Sequence, residues 1–153
     1  MAFGDRCDGK QIRTLSNYRR VYPFVMKTRT ESAIYADFEF EVGKTLEYME
    51  KANAGLSEKR IKFFHIFIAS LVRTVAMRPQ LNRFVMGRRI FQRNAIQISM
   101  IVKKKLDEES EYSNIKVTFD PRDTLDMVIQ RMATSLEILK TFLFSPVSLY
   151  VNC

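Results

Sequence analysis

The chain offers few side chains that could do chemistry. It has one histidine, His65, and two cysteines at opposite ends, Cys7 and Cys153. A general base must reach its substrate. His65 stands between Phe64 and Ile66 in a stretch that reads as helix, so a buried, hydrogen-bonded core histidine is expected. No His/Asp/Ser set completes a nucleophile triad. Two cysteines and one histidine at this spacing cannot form a structural zinc site. Gly4, Gly9, Gly43, Gly55 and Gly87 are too far apart for a phosphate-cradling loop. Asp120 and Asp123 flank Pro-Arg in a helix-start turn, where capping is the expected role. Taken alone, the sequence names no catalytic residue and no metal ligand, and leaves cofactor-binding residues unassigned.

The strongest signal is basic. From Lys62 to Lys105 there are ten Lys or Arg and no Asp or Glu, within a chain of net charge +8. Such asymmetry points to an anionic partner: nucleic acid, a membrane surface or a phosphorylated cofactor. Arg88, Arg89, Arg93, Lys103, Lys104 and Lys105 could track phosphates, and Phe84 and Phe91 could stack on bases. Against this, the aromatics alternate with the charges, as the buried face of a strand does, and no recognition-helix or sheet-aromatic signature is present. Nucleic acid is therefore disfavoured, and the cations read as the solvated face of β-structure.

Several elements must position these residues. Met1 to Arg20 is polar and basic and reads as an arm. Pro23 argues against a continuous helix after it. In "AIYADFEFEV", Ile34, Ala36, Phe38, Phe40 and Val42 alternate with Tyr35, Asp37, Glu39 and Glu41, which predicts a half-buried strand. "GKTLEYMEKANAGL" predicts a short helix with Leu46, Met49 and Ala52 inward, stopped at Gly55. Ser57 and Glu58 then open a helix that ends before Pro79. Its stripe of Ile61, Phe64, Ile68, Leu71, Val72 and Val75 is widened by Phe63, Ile66 and Phe67. Such a helix should be central and buried on more than one side.

Gly87 and Asn94 punctuate the strands that follow. "RRIFQR" is a short strand. Ile96 to Val102 is a longer one with a wetter face, and "NIKVTF" is a third. "DPRDTLDMVIQRMATSLEIL" predicts an amphipathic helix capped by Thr124 or Asp123, with Leu125, Val128, Ile129, Met132, Leu136 and Leu139 inward. The order predicts an α/β or α+β class with a mixed sheet in one domain: arm 1–20, core 21–140, apolar tail 141–153. Two lone cysteines suit a reducing compartment. The polar N-terminus lacks a signal peptide's apolar core, and no apolar run reaches the roughly 18 residues of a membrane span. A cytoplasmic protein is expected.

"LVRTVAMRPQLNRFVMGRRIFQRNAIQISMIVKK" resembles the central segment of the chloramphenicol acetyltransferase-like acyltransferases, which include the catalytic domains of 2-oxo acid dehydrogenase acyltransferases. The shared pattern is a long helix ending near Pro79, then Leu81–Asn82, a hairpin turning at Gly87 and a strand from Ile96 to Val102. "VYPFVMKTRTESAIYADFEFEV" is similar to the family's entry segment and first strand, and "FDPRDTLDMVIQRMATSLEIL" to a later helix, so the likeness covers roughly Ile12 to Leu139. It implies a mixed sheet backed by helices, trimers with active sites at subunit interfaces, and acyl transfer from a coenzyme A thioester. In that chemistry the histidine of a His-x-x-x-Asp-Gly motif takes the acceptor's proton. Here Ile66 to Ser70 follow His65, and Asp8–Gly9 is the one Asp-Gly. The chain reads as the N-terminal half of the fold, inactive alone. It would act with a complementary half or as a homo-oligomer, with a coenzyme A thioester as substrate only once completed. The alternative is a basic binding or regulatory module.

Overall fold

A computed structural model describes residues 4–55, 61–103 and 112–144. The architecture is α+β: four helices and two small antiparallel sheets. The elements are β1 (Gly9–Gln11), α1 (Asn17–Val25), α2 (Gly43–Asn53), α3 (Phe63–Met77), a 3-10 turn (Pro79–Asn82), β2 (Arg83–Met86), β3 (Arg89–Arg93), β4 (Ile96–Lys103), β5 (Tyr112–Phe119) and α4 (Leu125–Phe144). The described residues divide into two compact units. One holds the residues up to Phe63 together with Arg78–Asn94. The other holds Phe64–Met77 and the residues from Ala95 onward.

The first unit is built on a three-stranded sheet in the order β1-β3-β2. β2 and β3 form a two-residue hairpin through Gly87 and Arg88, with Met86 opposite Arg89 and Phe84 opposite Phe91. Both turn residues have positive φ, 56° and 61°. That is the backbone of a type I′ turn, whose twist matches the strands it joins. β1 pairs along β3, with Gly9 opposite Arg93. Three polar residues have no readable periodicity, so the expected arm conceals this strand. α1 also lies where an interrupted segment was expected, and it contains Pro23. Proline there removes the bond to the carbonyl one turn earlier. Pro23 is the buried residue of α1, and packing outweighs the lost bond.

In the second unit β4 and β5 form an eight-pair ladder, from Ile96 opposite Phe119 to Lys103 opposite Tyr112. One face is the core: Ile96, Ile115, Val117 and Phe119 pack with Ile68 and Val72 of α3 and Val128 and Met132 of α4. The other face is polar, with Gln97 donating to Thr118 Oγ1 at 3.2 Å. Burial of these aliphatic side chains, at about 25 cal/mol per Å² of apolar surface, is what fixes the strand period on the sheet.

Three expectations are corrected. No mixed sheet occurs among the described residues, where every ladder is antiparallel. Residues 33–42 form no strand, although their pattern is strictly alternating. Alternation states which side chains share a face; a strand also needs a neighbouring edge, and none of the described strands pairs with this segment. Ile34, Tyr35, Phe38 and Phe40 are consequently 92%, 93%, 75% and 80% exposed. The helix α3 buries one stripe only, through Ile68 and Val72, while Phe64, Phe67 and Leu71 stay 49%, 49% and 39% exposed. The expected cap at Ser57 and Glu58 lies outside the described residues, as do Lys104 and Lys105 and the tail from residue 145.

Candidate binding groove

The residues singled out by type do not converge on one site. His65 is half-buried on α3. Asp120 and Asp123 form the turn before α4. The Asp120 carboxylate accepts the Arg122 N–H at 2.9 Å, and the Asp123 carboxylate accepts the Asp120 N–H at 2.7 Å. Asp123 also takes Arg131 in a fork, Nε to Oδ2 at 2.7 Å and Nη2 to Oδ1 at 3.2 Å. Thr124 Oγ1 stands 3.5 Å from the Met127 N–H. These are the positioning bonds of a helix start. Cys7 is exposed. No group of three or more His, Cys, Asp or Glu that could hold a metal ion occurs among the described residues.

The basic run is divided between the two units. Lys103 belongs to the second, where its ammonium lies 5.3 Å from the Tyr112 ring centroid. Arg83, Arg88 and Arg93 belong to the first, and there they meet two cations from outside the run, Lys27 and Arg29. Together they line a groove of about 930 Å³ between the segment that continues α1 and the β2–β3 hairpin. No acidic side chain is among its lining residues. Arg89 is not among them either; it lies across from Met86 on the hairpin.

The hairpin positions these charges. Phe84 and Phe91, opposite one another, stack with centroids 5.4 Å apart and planes 17° from parallel. Arg93 lays its guanidinium 4.7 Å from the Phe84 centroid, and its Nη1 is 4.0 Å from Asp8. Arg88 lies 5.5 Å from the Phe24 centroid. Arg83 Nε donates to Gln92 Oε1 at 3.2 Å, and Gln92 Nε2 donates to the Pro79 carbonyl at 2.8 Å. Each guanidinium is thus held by an aromatic face or a side-chain amide, which keeps its planar fork pre-organised.

On the opposite bank, Glu31 closes the turn that carries Lys27 and Thr28. Its carboxylate turns back to accept the Lys27 N–H at 2.9 Å and the Thr28 N–H at 3.1 Å. Ser32 Oγ donates to the Arg29 carbonyl at 3.0 Å. Tyr22 also lines the groove. The hydroxyl of Tyr18 is hydrogen-bonded to Tyr22 and pushes that phenol above its ordinary value.

Arg88, Arg93 and Phe84 were legible as candidates from the basic run. Lys27 and Arg29 were not, because they precede it by more than thirty residues; only the fold brings them to the hairpin. Together the fold and groove define an α+β chain with one sheet edge set in positive charge. No family model matches the chain, and no curated protein and no solved structure matches it. No helix among the described residues is long and apolar enough to cross a membrane.

Proposed function

We propose that the chain is a coenzyme A-dependent acyltransferase-type protein that supplies one half of an active unit. The observation that carries this reading is α3. Its sequence is apolar on more than one side, yet its described partners cover a single stripe and leave Phe64, Phe67 and Leu71 nearly half exposed. An apolar helix face of that kind is built to be covered. The two-stranded β4–β5 sheet agrees, since such a sheet gains independent stability from further strands. The order of a long helix, Pro79, a Gly-turn hairpin and a long strand is the order that the acyltransferase resemblance requires.

The 153 residues carry no His-x-x-x-Asp-Gly, so the chain by itself performs no acyl transfer by that family's route. The role that follows is structural: it presents one wall of a composite site to a half that carries the proton-taking histidine. The experiment is complementation. The purified chain is mixed with the C-terminal half of a 2-oxo acid dehydrogenase acyltransferase, and thiol release from acetyl-coenzyme A is followed. Transfer on mixing, with none from either part alone, is expected. Transfer by this chain alone, or none after mixing with halves from several such enzymes, overturns the reading.

A second reading rests on the groove. Five cations and no acid line it, which suits a binding or regulatory module with an anionic partner. Retardation of DNA or RNA at physiological salt, lost in Arg29→Ala/Arg88→Ala, would select a polymer; no retardation at low salt removes it.

A further inference from the structure

Two features of the first unit are complementary, and neither is paired with another strand among the described residues. One is the segment 33–42. The Phe38 and Phe40 rings lie on one side with centroids 6.4 Å apart, close to the two-residue repeat of an extended strand. Asp37, Glu39 and Glu41 alternate with them and are exposed. The segment therefore has the two faces of a strand, one aromatic and one acidic, without a sheet to join.

The other feature is the outer edge of β2, which is an edge strand. The Ile12 N–H donates to the Ile90 carbonyl at 3.0 Å, so Ile90 turns its backbone groups to β1. In an antiparallel ladder the direction alternates. Arg89 and Phe91 therefore bond β2, at Met86 and Phe84, and the N–H and C=O of Val85 face the groove. Val85 and Met86 side chains are more than or about half exposed there. An unpaired edge with apolar side chains is a template for another strand. This one is flanked by Lys27, Arg29, Arg83 and Arg88.

We infer that residues 33–42 of one copy add as a strand to the β2 edge of a second copy. In that pairing Phe38 and Phe40 lie beside Phe84 and Met86, and Asp37, Glu39 and Glu41 lie on the face that carries Arg83. Two observations select a second copy. Within its own chain the segment follows a closed turn, in which Glu31 holds the Lys27 and Thr28 N–H groups and the Ala33 N–H donates to the Thr30 carbonyl at 3.3 Å, and it pairs with none of the described strands. Pairing of two such segments with each other would set carboxylate against carboxylate, which is unfavourable. Each copy has one strand to give and one edge to receive, so reciprocal exchange closes a dimer, and a ring of copies is the other closed solution. The occupant of the groove is then a second copy of the chain, and its binding is read without any acyl transfer; a complementary acyltransferase half would compete for the same residues 33–42.

The test is a charge exchange read by sedimentation velocity over a concentration series. The unaltered protein associates, and more weakly as salt is raised. Asp37→Lys/Glu39→Lys/Glu41→Lys weakens association by at least about tenfold, and so does Arg29→Glu/Arg88→Glu. All five positions are exposed, so folding is not at stake. Mixing the two variants restores association to within about threefold of the original, because each reversed strand now meets a reversed edge. Val85→Pro gives a second measure: proline is tolerated where an edge N–H faces outward, and it removes the donor that a docked strand needs. Expected is loss of association with unchanged circular dichroism. A protein that stays monomeric at every concentration overturns the inference. So does association that survives both charge variants, or a mixture that fails to recover it.

Discussion

At the scale of single residues, the ionic contacts of the first unit set a testable pH response. Arg6 Nε lies 2.8 Å from Asp8 Oδ1, and this hydrogen bond holds the Asp8 carboxyl below its ordinary value, with the charges of Arg6 and Arg93 acting in the same direction. A depressed folded-state pKa contributes stability that is present above the unfolded value and lost as pH falls through the folded one. In a carbon-detected NMR titration, Asp8 should therefore titrate below the ordinary aspartate value, and Arg6→Gln should bring it back up. Gly9 shows a different kind of residue-scale constraint. A Cβ there would stand 2.8 Å from the Phe84 ring and 2.9 Å from the Gln92 carbonyl oxygen. The carbonyl belongs to the β3 ladder and cannot yield. Gly9→Ala should destabilise the fold by about 1–3 kcal/mol in urea melts, and wild-type-like stability would contradict the packing. The Asp8–Gly9 pair, conspicuous in the sequence as the one Asp-Gly, thus has an ion pair and a steric role.

At the scale of elements, what the sequence makes legible is what is local. β4, β5 and α4 are found because eight or more residues repeat one period, and because a single buried face confirms it. The hairpin is found because Gly87 stands between two aromatic runs. β1 and α1 are hidden for opposite reasons: β1 is too short to show a period and takes its partner from eighty residues away, and α1 carries a proline whose burial offsets its backbone cost. The segment 33–42 is the instructive failure. Its alternation is as regular as that of β4, yet nothing local tells whether an edge exists to receive it. The groove shares that non-local character, since Lys27 and Arg29 reach the hairpin only through the fold. The hairpin itself makes a sharp prediction. Gly87 has φ 56°, a conformation that β-branched residues avoid. Gly87→Val should cost roughly 1–2 kcal/mol and should loosen the Phe84–Phe91 stack, read as a change in near-ultraviolet dichroism. Gly87→Asn, which tolerates the same φ, should cost less.

At the scale of the whole molecule, the segment 33–42 is a covalent bridge that the first unit hardly needs. The residues before it are already tied to the residues after it: β1 lies along β3, the Asn94 amide donates to the Cys7 carbonyl at 3.1 Å, and the Asn94 N–H donates to the Asp8 carbonyl at 3.2 Å. Brief chymotrypsin treatment of dilute protein should therefore cut after Tyr35, Phe38 or Phe40, the exposed aromatics of a segment outside any ladder. The two fragments should migrate together on a native gel and part only in denaturant. Fragments that separate under native conditions would show that the β1–β3 ladder does not hold the pieces. In engineering terms the chain is open at this point: new termini could be placed there, or a foreign domain inserted, while the order of contacts in the sheet stays as it is.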